Sequence, residues 1–184
     1  MAITRLGPNN STNISDINLT SQVTGTLPTA NGGTGATSFA PGKVLQVQST
    51  QLQAEFATSS TSFTDVTSMA VTITPSATDS KILLLCNTNT YQTTITSYQC
   101  LRWERSISGG ATTNIGHGTY GLSFARSAVA HDFWGGVGMT YLDSPSTTSA
   151  VTYQVQASTA GSGALTVGVN SSSTNSVYAL EIGA

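Results

Sequence analysis

Tyr98-Gln-Cys-Leu-Arg-Trp-Glu-Arg-Ser-Ile107 alternates along its length, setting Leu101, Trp103 and Arg105 on one side of an extended chain and Cys100, Arg102 and Glu104 on the other. A period of two is the pattern of a strand with one face against a core. Just upstream, Lys81-Ile-Leu-Leu-Leu-Cys86 is a continuous apolar run, suited to a strand covered on both faces. The alternating theme recurs from Val44 to Ser49, in Leu52, Ala54 and Phe56, and in Val71-Thr-Ile73. It returns in Val137 to Leu142, Val151-Thr-Tyr-Gln-Val-Gln156, Leu165-Thr-Val-Gly-Val169 and Val177-Tyr-Ala-Leu-Glu-Ile182. Clusters of Ser, Gly, Pro and Asn separate these runs, and none carries a sustained 3.6-residue period. About eight short strands with turn signals between them predict an all-β domain over residues 43–184, a sandwich or a barrel.

Residues 1–40 follow a different rule. Pro8, Pro28 and Pro41 forbid a regular helix, and glycines punctuate the segment from Gly7 to Gly35. Thr24-Gly-Thr-Leu-Pro-Thr-Ala-Asn-Gly-Gly-Thr-Gly-Ala-Thr37 has no charge and almost no large side chain. Such a run cannot bury enough apolar surface to offset the entropy of ordering itself. Ile3, Leu6, Ile14, Ile17, Leu19, Val23 and Leu27 stand alone in this segment without a period. They read as pegs for pockets on a partner, which predicts an extended arm that anchors the chain to another protein.

Only 8% of the 184 residues are charged, against about 25% in an ordinary soluble domain. Ser and Thr take their place. Surfaces made of hydroxyls and glycine lack the charge repulsion that keeps proteins apart, so the composition favours an oligomer packed in an assembly. A net charge of −2 steers no partner, and six scattered basic residues exclude the clustered basic face that nucleic acid needs. No apolar run reaches the ~20 residues of a membrane span, and the first residues carry no signal-peptide pattern. The expectation is a chain made in a cytoplasm, with no membrane insertion.

Searches for chemistry return little. Gly116-His-Gly-Thr-Tyr-Gly121 spells G-x-G-x-x-G, but neither a preceding strand nor a following helix is indicated, and a dinucleotide site needs both. Pro41-Gly-Lys-Val44 lacks the first glycine and the hydroxyl of a phosphate loop. His117, His131 and Asp132 lack the organised spacing of a zinc site, no G-x-S-x-G elbow is present, and no carboxylate pair stands out. Neither an enzyme nor a bound cofactor or metal is expected. Cys86 ends an apolar run and reads as a small buried hydrophobe, with a bridge to Cys100 across neighbouring strands as the alternative.

Residues 108–136 resist the strand pattern: they hold seven glycines, both histidines and an aromatic cluster. A long loop in a compact domain is functional, disordered or broken by an unrecognised strand. We read it as an exposed contact loop, with His117, Tyr120, Asp132 and Trp134 as the groups for a surface glycan or a protein receptor. The alternative is a hidden pair of strands, with Phe124, Phe133 and Trp134 completing the core. Trp103, inside a regular strand, reads as core.

Gly25-Thr-Leu-Pro-Thr-Ala-Asn-Gly-Gly-Thr-Gly-Ala-Thr37 resembles a segment that recurs in tail-fibre and other virion proteins of tailed bacteriophages. Ser59-Ser-Thr-Ser-Phe-Thr-Asp-Val66, Ile73-Thr-Pro-Ser-Ala-Thr-Asp-Ser-Lys-Ile-Leu84, Leu142-Asp-Ser-Pro145 and Thr152-Tyr-Gln-Val155 resemble a C-terminal module of phage structural proteins. The resemblance implies a homotrimeric virion appendage ending in a jelly-roll-like β-sandwich. The expected role is a short fibre or spike, docked through its arm on a tail, baseplate or capsid protein, that meets the host surface. A capsid decoration or head-fibre protein is the competing role. Deleting residues 1–36 is expected to abolish incorporation while leaving the C-terminal domain folded; normal occupancy of the truncated chain on purified particles would refute the anchor.

Overall fold

The computed structural model describes residues 44–52, 54–92, 97–108, 110–126, 133–161, 163–168 and 175–183. The arm with its seven apolar pegs, His131 and Asp132 lie outside these residues. Among the described residues are eleven strands: β1 (Val44–Leu52), β2 (Phe56–Thr58), β3 (Thr64–Ile73), β4 (Lys81–Gln92), β5 (Tyr98–Ile107), β6 (Thr112–Ile115), β7 (Ser123–Arg126), β8 (Phe133–Asp143), β9 (Val151–Thr159), β10 (Leu165–Val167) and β11 (Asn175–Ile182). Every pair between these strands is antiparallel, and they form two sheets. The domain is all-β, as the alternation predicts.

β4 is the hub of the six-stranded sheet. One of its edges pairs with β11 from Lys81 to Asn87 and with β10 from Thr90 to Gln92. Its other edge pairs with β8 from Ile82 to Gln92. β1 lies outside β11, and β2 outside β10. In the second sheet β3, β9 and β5 follow in order, and β6 and β7 share the far edge of β5. The long strands therefore run β1-β11-β4-β8 in one sheet and β3-β9-β5-β6/β7 in the other. Because β3, β4, β5, β8, β9 and β11 each lie in a different sheet from the long strand before them, the connectivity is that of a jelly roll.

The core lies between the sheets. Ile82, Leu84 and Cys86 of β4 and Val177 and Ala179 of β11 face Leu101 and Trp103 of β5 and Tyr153 and Val155 of β9, all buried. Each large apolar side chain removed from water there contributes about 1.5–3 kcal/mol. Trp103 is fully buried, as its place in a regular strand predicts. Cys86 and Cys100 are both free and buried, on β4 and β5 in different sheets, so the bridge does not form. Burial pushes the Cys86 thiol up to about 12, which leaves it inert as a nucleophile.

Polar groups fasten the layers. Arg105 on β5 donates from Nη1 to both carboxylate oxygens of Asp143 on β8, 3.0 Å each, and the Tyr153 hydroxyl donates to Asp143 Oδ2 at 2.7 Å. Thr90 of β4 donates to Gln99 Oε1 of β5 at 2.6 Å. β3 bulges between Asp65 and Ala70, where Ser68 takes a φ of 67°. The Gln154 amide of β9 holds that bulge by donating to the Val66 carbonyl at 2.8 Å and the Met69 carbonyl at 3.2 Å. Without such partners the carbonyls freed by the bulge would go unpaired.

The expected long loop over 108–136 is corrected by the structure. It contains β6 and β7, two four-residue strands on the edge of the second sheet, and β8 begins at Phe133. Short strands joined by glycine-rich turns give too little alternation to register as a period.

A buried carboxylate closes the end of the sandwich where β1 begins. Glu181 of β11 has no solvent exposure. Its Oε1 accepts from the Ser76 backbone N–H and hydroxyl, both at 2.7 Å, and its Oε2 accepts from Gln46 Nε2 at 2.6 Å. The Ser80 hydroxyl faces the same group without closing a hydrogen bond of good geometry. Burial alone would raise this carboxyl, but the donors outweigh it and hold the group at about 2. A carboxylate depressed in the folded state stabilises it above the unfolded value of about 4.3, and that contribution fades as pH falls toward 2. Wild-type stability, measured by denaturant unfolding, is expected to fall between pH 4.5 and 2 by an increment that Glu181→Gln lacks. At pH 7 the same substitution is expected to cost about 1–3 kcal/mol, because its amide sets a donor against Gln46.

Candidate functional site: an aromatic and cationic face on the second sheet

β5 sends Leu101 and Trp103 inward and Tyr98 and Arg102 to the outer face of its sheet, as its alternation requires. β7 pairs with it in a register that sets Phe124 opposite Cys100 and Arg126 opposite Tyr98. The turn between β6 and β7 then brings Tyr120 over this face. Tyr120 lies 5.3 Å from the Tyr98 ring and 5.4 Å from Phe124, tilted by 56° and 40°. His117 stacks on Tyr120 at 5.6 Å and 19°, and the Arg126 guanidinium sits 5.4 Å over Tyr98. Phe124 is 60% exposed and Tyr120 37%, so the cluster displays ring surface instead of burying it.

The turn is built for this. His117 and Gly121 exchange two backbone hydrogen bonds of 2.9 Å, and the Leu122 N–H donates to the Leu101 carbonyl at 2.8 Å. His117 Nδ1 accepts from the Thr119 and Tyr120 N–H groups at 3.1 and 3.3 Å. The neutral imidazole therefore carries its proton on Nε2. Gly121 has a φ of +70°, and a Cβ there would collide with the Leu101 carbonyl. Gly116 and Gly121 thus serve a tight turn between strands, and the G-x-G-x-x-G spelling has no helix behind it.

Beside the cluster a polar line crosses three strands. Asp65 Oδ1 of β3 accepts from Gln156 Nε2 of β9 at 2.8 Å, and Gln156 Oε1 accepts from Arg102 Nε of β5 at 2.8 Å. The Arg102 guanidinium lies 4.1 Å over the Phe63 ring. Aromatic faces flanked by Arg, Asp and Gln stack on flat apolar surface and direct hydrogen bonds to its rim, which is chemistry suited to a sugar or a peptide.

Of the four contact residues expected from sequence, His117 and Tyr120 come together here. Trp134 is 58% exposed on β8, on the other sheet, where it packs at 4.4 Å against Tyr91; Asp132 lies outside the described residues. Phe124 and Trp134 do not complete the core. Tyr98, Phe124, Arg126, Phe63 and Arg102 complete the face beyond the four expected contact residues. Ser123-Phe-Ala-Arg126, which alternates Phe124 and Arg126 onto one side, is the signal that marks two of them. Among the described residues no three of His, Cys, Asp and Glu converge on one point as metal ligands.

Gly121→Ala is expected to lower stability by about 1–3 kcal/mol in denaturant unfolding, through the strained φ and the clash with β5. Tyr120→Ala, whose side chain is partly in water, is expected to cost about 1 kcal/mol or less and so to separate binding from folding.

No protein-family model matches the chain and no curated protein is similar to it at a significant level, so the reading of this face rests on the residues that build it.

Proposed function

We propose that this chain is a non-enzymatic structural protein of a tailed-bacteriophage virion. In this reading it is a short fibre or spike, a homotrimer docked on another virion protein through residues 1–40. Its jelly roll faces outward and adheres to a glycan or protein of the host surface. The observation that carries the reading is the aromatic and cationic face of Tyr98, Tyr120, Phe124 and Arg126, displayed on a rigid sandwich. The phage-like segments at Gly25–Thr37 and in the C-terminal domain give the setting. Stacking rings of this kind contribute about 0.5–1.5 kcal/mol each beyond their buried area, so several copies in one appendage add up to firm attachment. No nucleic acid, membrane insertion, cofactor or reaction enters the proposal.

The test is adsorption of particles carrying the double variant Tyr120→Ala, Phe124→Ala. Loss of two such ring contacts per copy is expected to slow adsorption at least about tenfold, with incorporation of the protein unchanged. Unchanged adsorption at full occupancy would remove the adhesive role and leave shell decoration as the function.

A further inference from the structure

The rings of the aromatic face carry a cation whose charge is unanswered. The exposed Arg126 guanidinium sits 5.4 Å over the Tyr98 ring, and among the described residues neither an ion pair nor a hydrogen bond engages it. Arg102, on the same outer face, is committed. Its Nε donates to Gln156, which ties it to Asp65, and Glu104 lies two residues along the same side of β5. Arg126 pairs across from Tyr98, so it stands four positions along β5 from Arg102 and six from Glu104. At about 3.3 Å per residue these are separations of roughly 13 and 20 Å, beyond the ~8 Å over which salt leaves exposed charges unscreened. The turn beside the rings has few backbone donors to spare. The N–H groups of His117, Thr119, Tyr120, Gly121 and Leu122 are all taken, within the turn or by β5. His117 is exposed, and its Nε2–H has no acceptor among the described residues.

We infer that this face binds an acidic sugar, with the apolar side of its pyranose on Tyr98, Tyr120 and Phe124 and its carboxylate at Arg126. The inference rests on the adhesive face of the proposed function and names the class of glycan that face meets. Three observations choose the class. The ring centroids of Tyr98, Tyr120 and Phe124 stand 5.3, 5.4 and 6.4 Å apart, close enough for one pyranose to touch two of them at once. Their faces carry negative charge density, which attracts the C–H groups of a sugar ring. Next, a guanidinium is weakly hydrated and presents a fork that fits both oxygens of a carboxylate, so an unpaired one beside the rings selects an anion. Asp65 and Glu104 repel that anion from the Arg102 end and leave Arg126 as its place. Finally, an acidic peptide laid along the face would need backbone partners, and the turn has spent its own. A sugar brings hydroxyls that side chains can meet, among them His117 at Nε2.

The experiment applies the full chain to an array of sialylated and uronate-containing oligosaccharides, each spotted beside its neutral parent, with poly-glutamate peptides as the competing class. Wild type is expected to hold acidic glycans at least about tenfold more tightly than their neutral parents, the size of one hydrogen-bonded contact to a charged group. Arg126→Gln is expected to remove that preference and Arg126→Lys to restore part of it. Lys81→Gln, which takes the same charge from the other sheet, is expected to leave it intact. Phe124→Ala is expected to weaken acidic and neutral glycans alike. Arg126 and Phe124 are both exposed, and unchanged melting confirms that each variant folds. Equal binding of acidic and neutral forms, binding of no glycan, retention of poly-glutamate in their place, or an Arg126→Gln chain that keeps the preference would each overturn the assignment. The adhesive role is scored separately, on particles. Adsorption slowed by Tyr120→Ala, Phe124→Ala but not by Arg126→Gln leaves that role standing and overturns the acidic class. Adsorption that neither slows, with acidic glycans still held through Arg126, supports the class and removes the role.

Discussion

The structure depends on β4 being hydrogen-bonded along both edges. β8 follows one edge almost throughout, and β11 and β10 divide the other end to end. Where they meet, the Asn175 carboxamide oxygen accepts from the Thr88 hydroxyl and the Asn89 N–H, and the Gly168 N–H donates to the Asn89 carbonyl. The gap between two short partners is thus sealed by a side chain and one backbone group, and β4 keeps its register across it. With β4 fixed, its inward residues fix the positions of Trp103 and Tyr153 opposite. The second sheet, and the ring cluster on its outer face, then follow from that packing.

The two outer faces divide the chemistry between them. Among the described residues, the outward positions of β1, β11, β4 and β8 carry aliphatic rows, glycines and amides with Lys81 as their one charge; the other sheet carries rings, two arginines and an acidic group linked through Gln156. Low charge in the composition is therefore not spread evenly over the surface. It is concentrated as absence on one side, which is where contact with like surface costs least in desolvation.

The fold was largely legible in the sequence because its long strands bury one face each, and burial writes a period of two. Tyr98–Ile107 and Val151–Gln156 could be read directly, and Trp103 sits where its strand implies. β6 and β7 were not legible, since four residues beside glycine turns leave no period. The candidate site was legible only in part for a different reason. His117 and Tyr120 belong to one turn and stay together in space, whereas Trp134 continues the alternation of β8 onto the other sheet. Tyr98 reaches Phe124 through strand pairing, a relation that spacing along the chain does not encode. The fully buried Glu181 reads in the sequence as one more polar member of an alternating strand. Its importance comes from Gln46 and Ser76, which are distant along the chain.

β1 begins at Val44 beside Ile182 at the end of β11, and it runs from there toward the end of the sandwich where Trp134 and Tyr98 lie. A pull applied at Val44 along β1, against anything gripping that far end, is therefore directed along the strands. The β1–β11 ladder takes such a load in shear, so its hydrogen bonds resist together and do not open one after another. Geometry alone makes the domain resist such a pull through eight residue pairs loaded side by side.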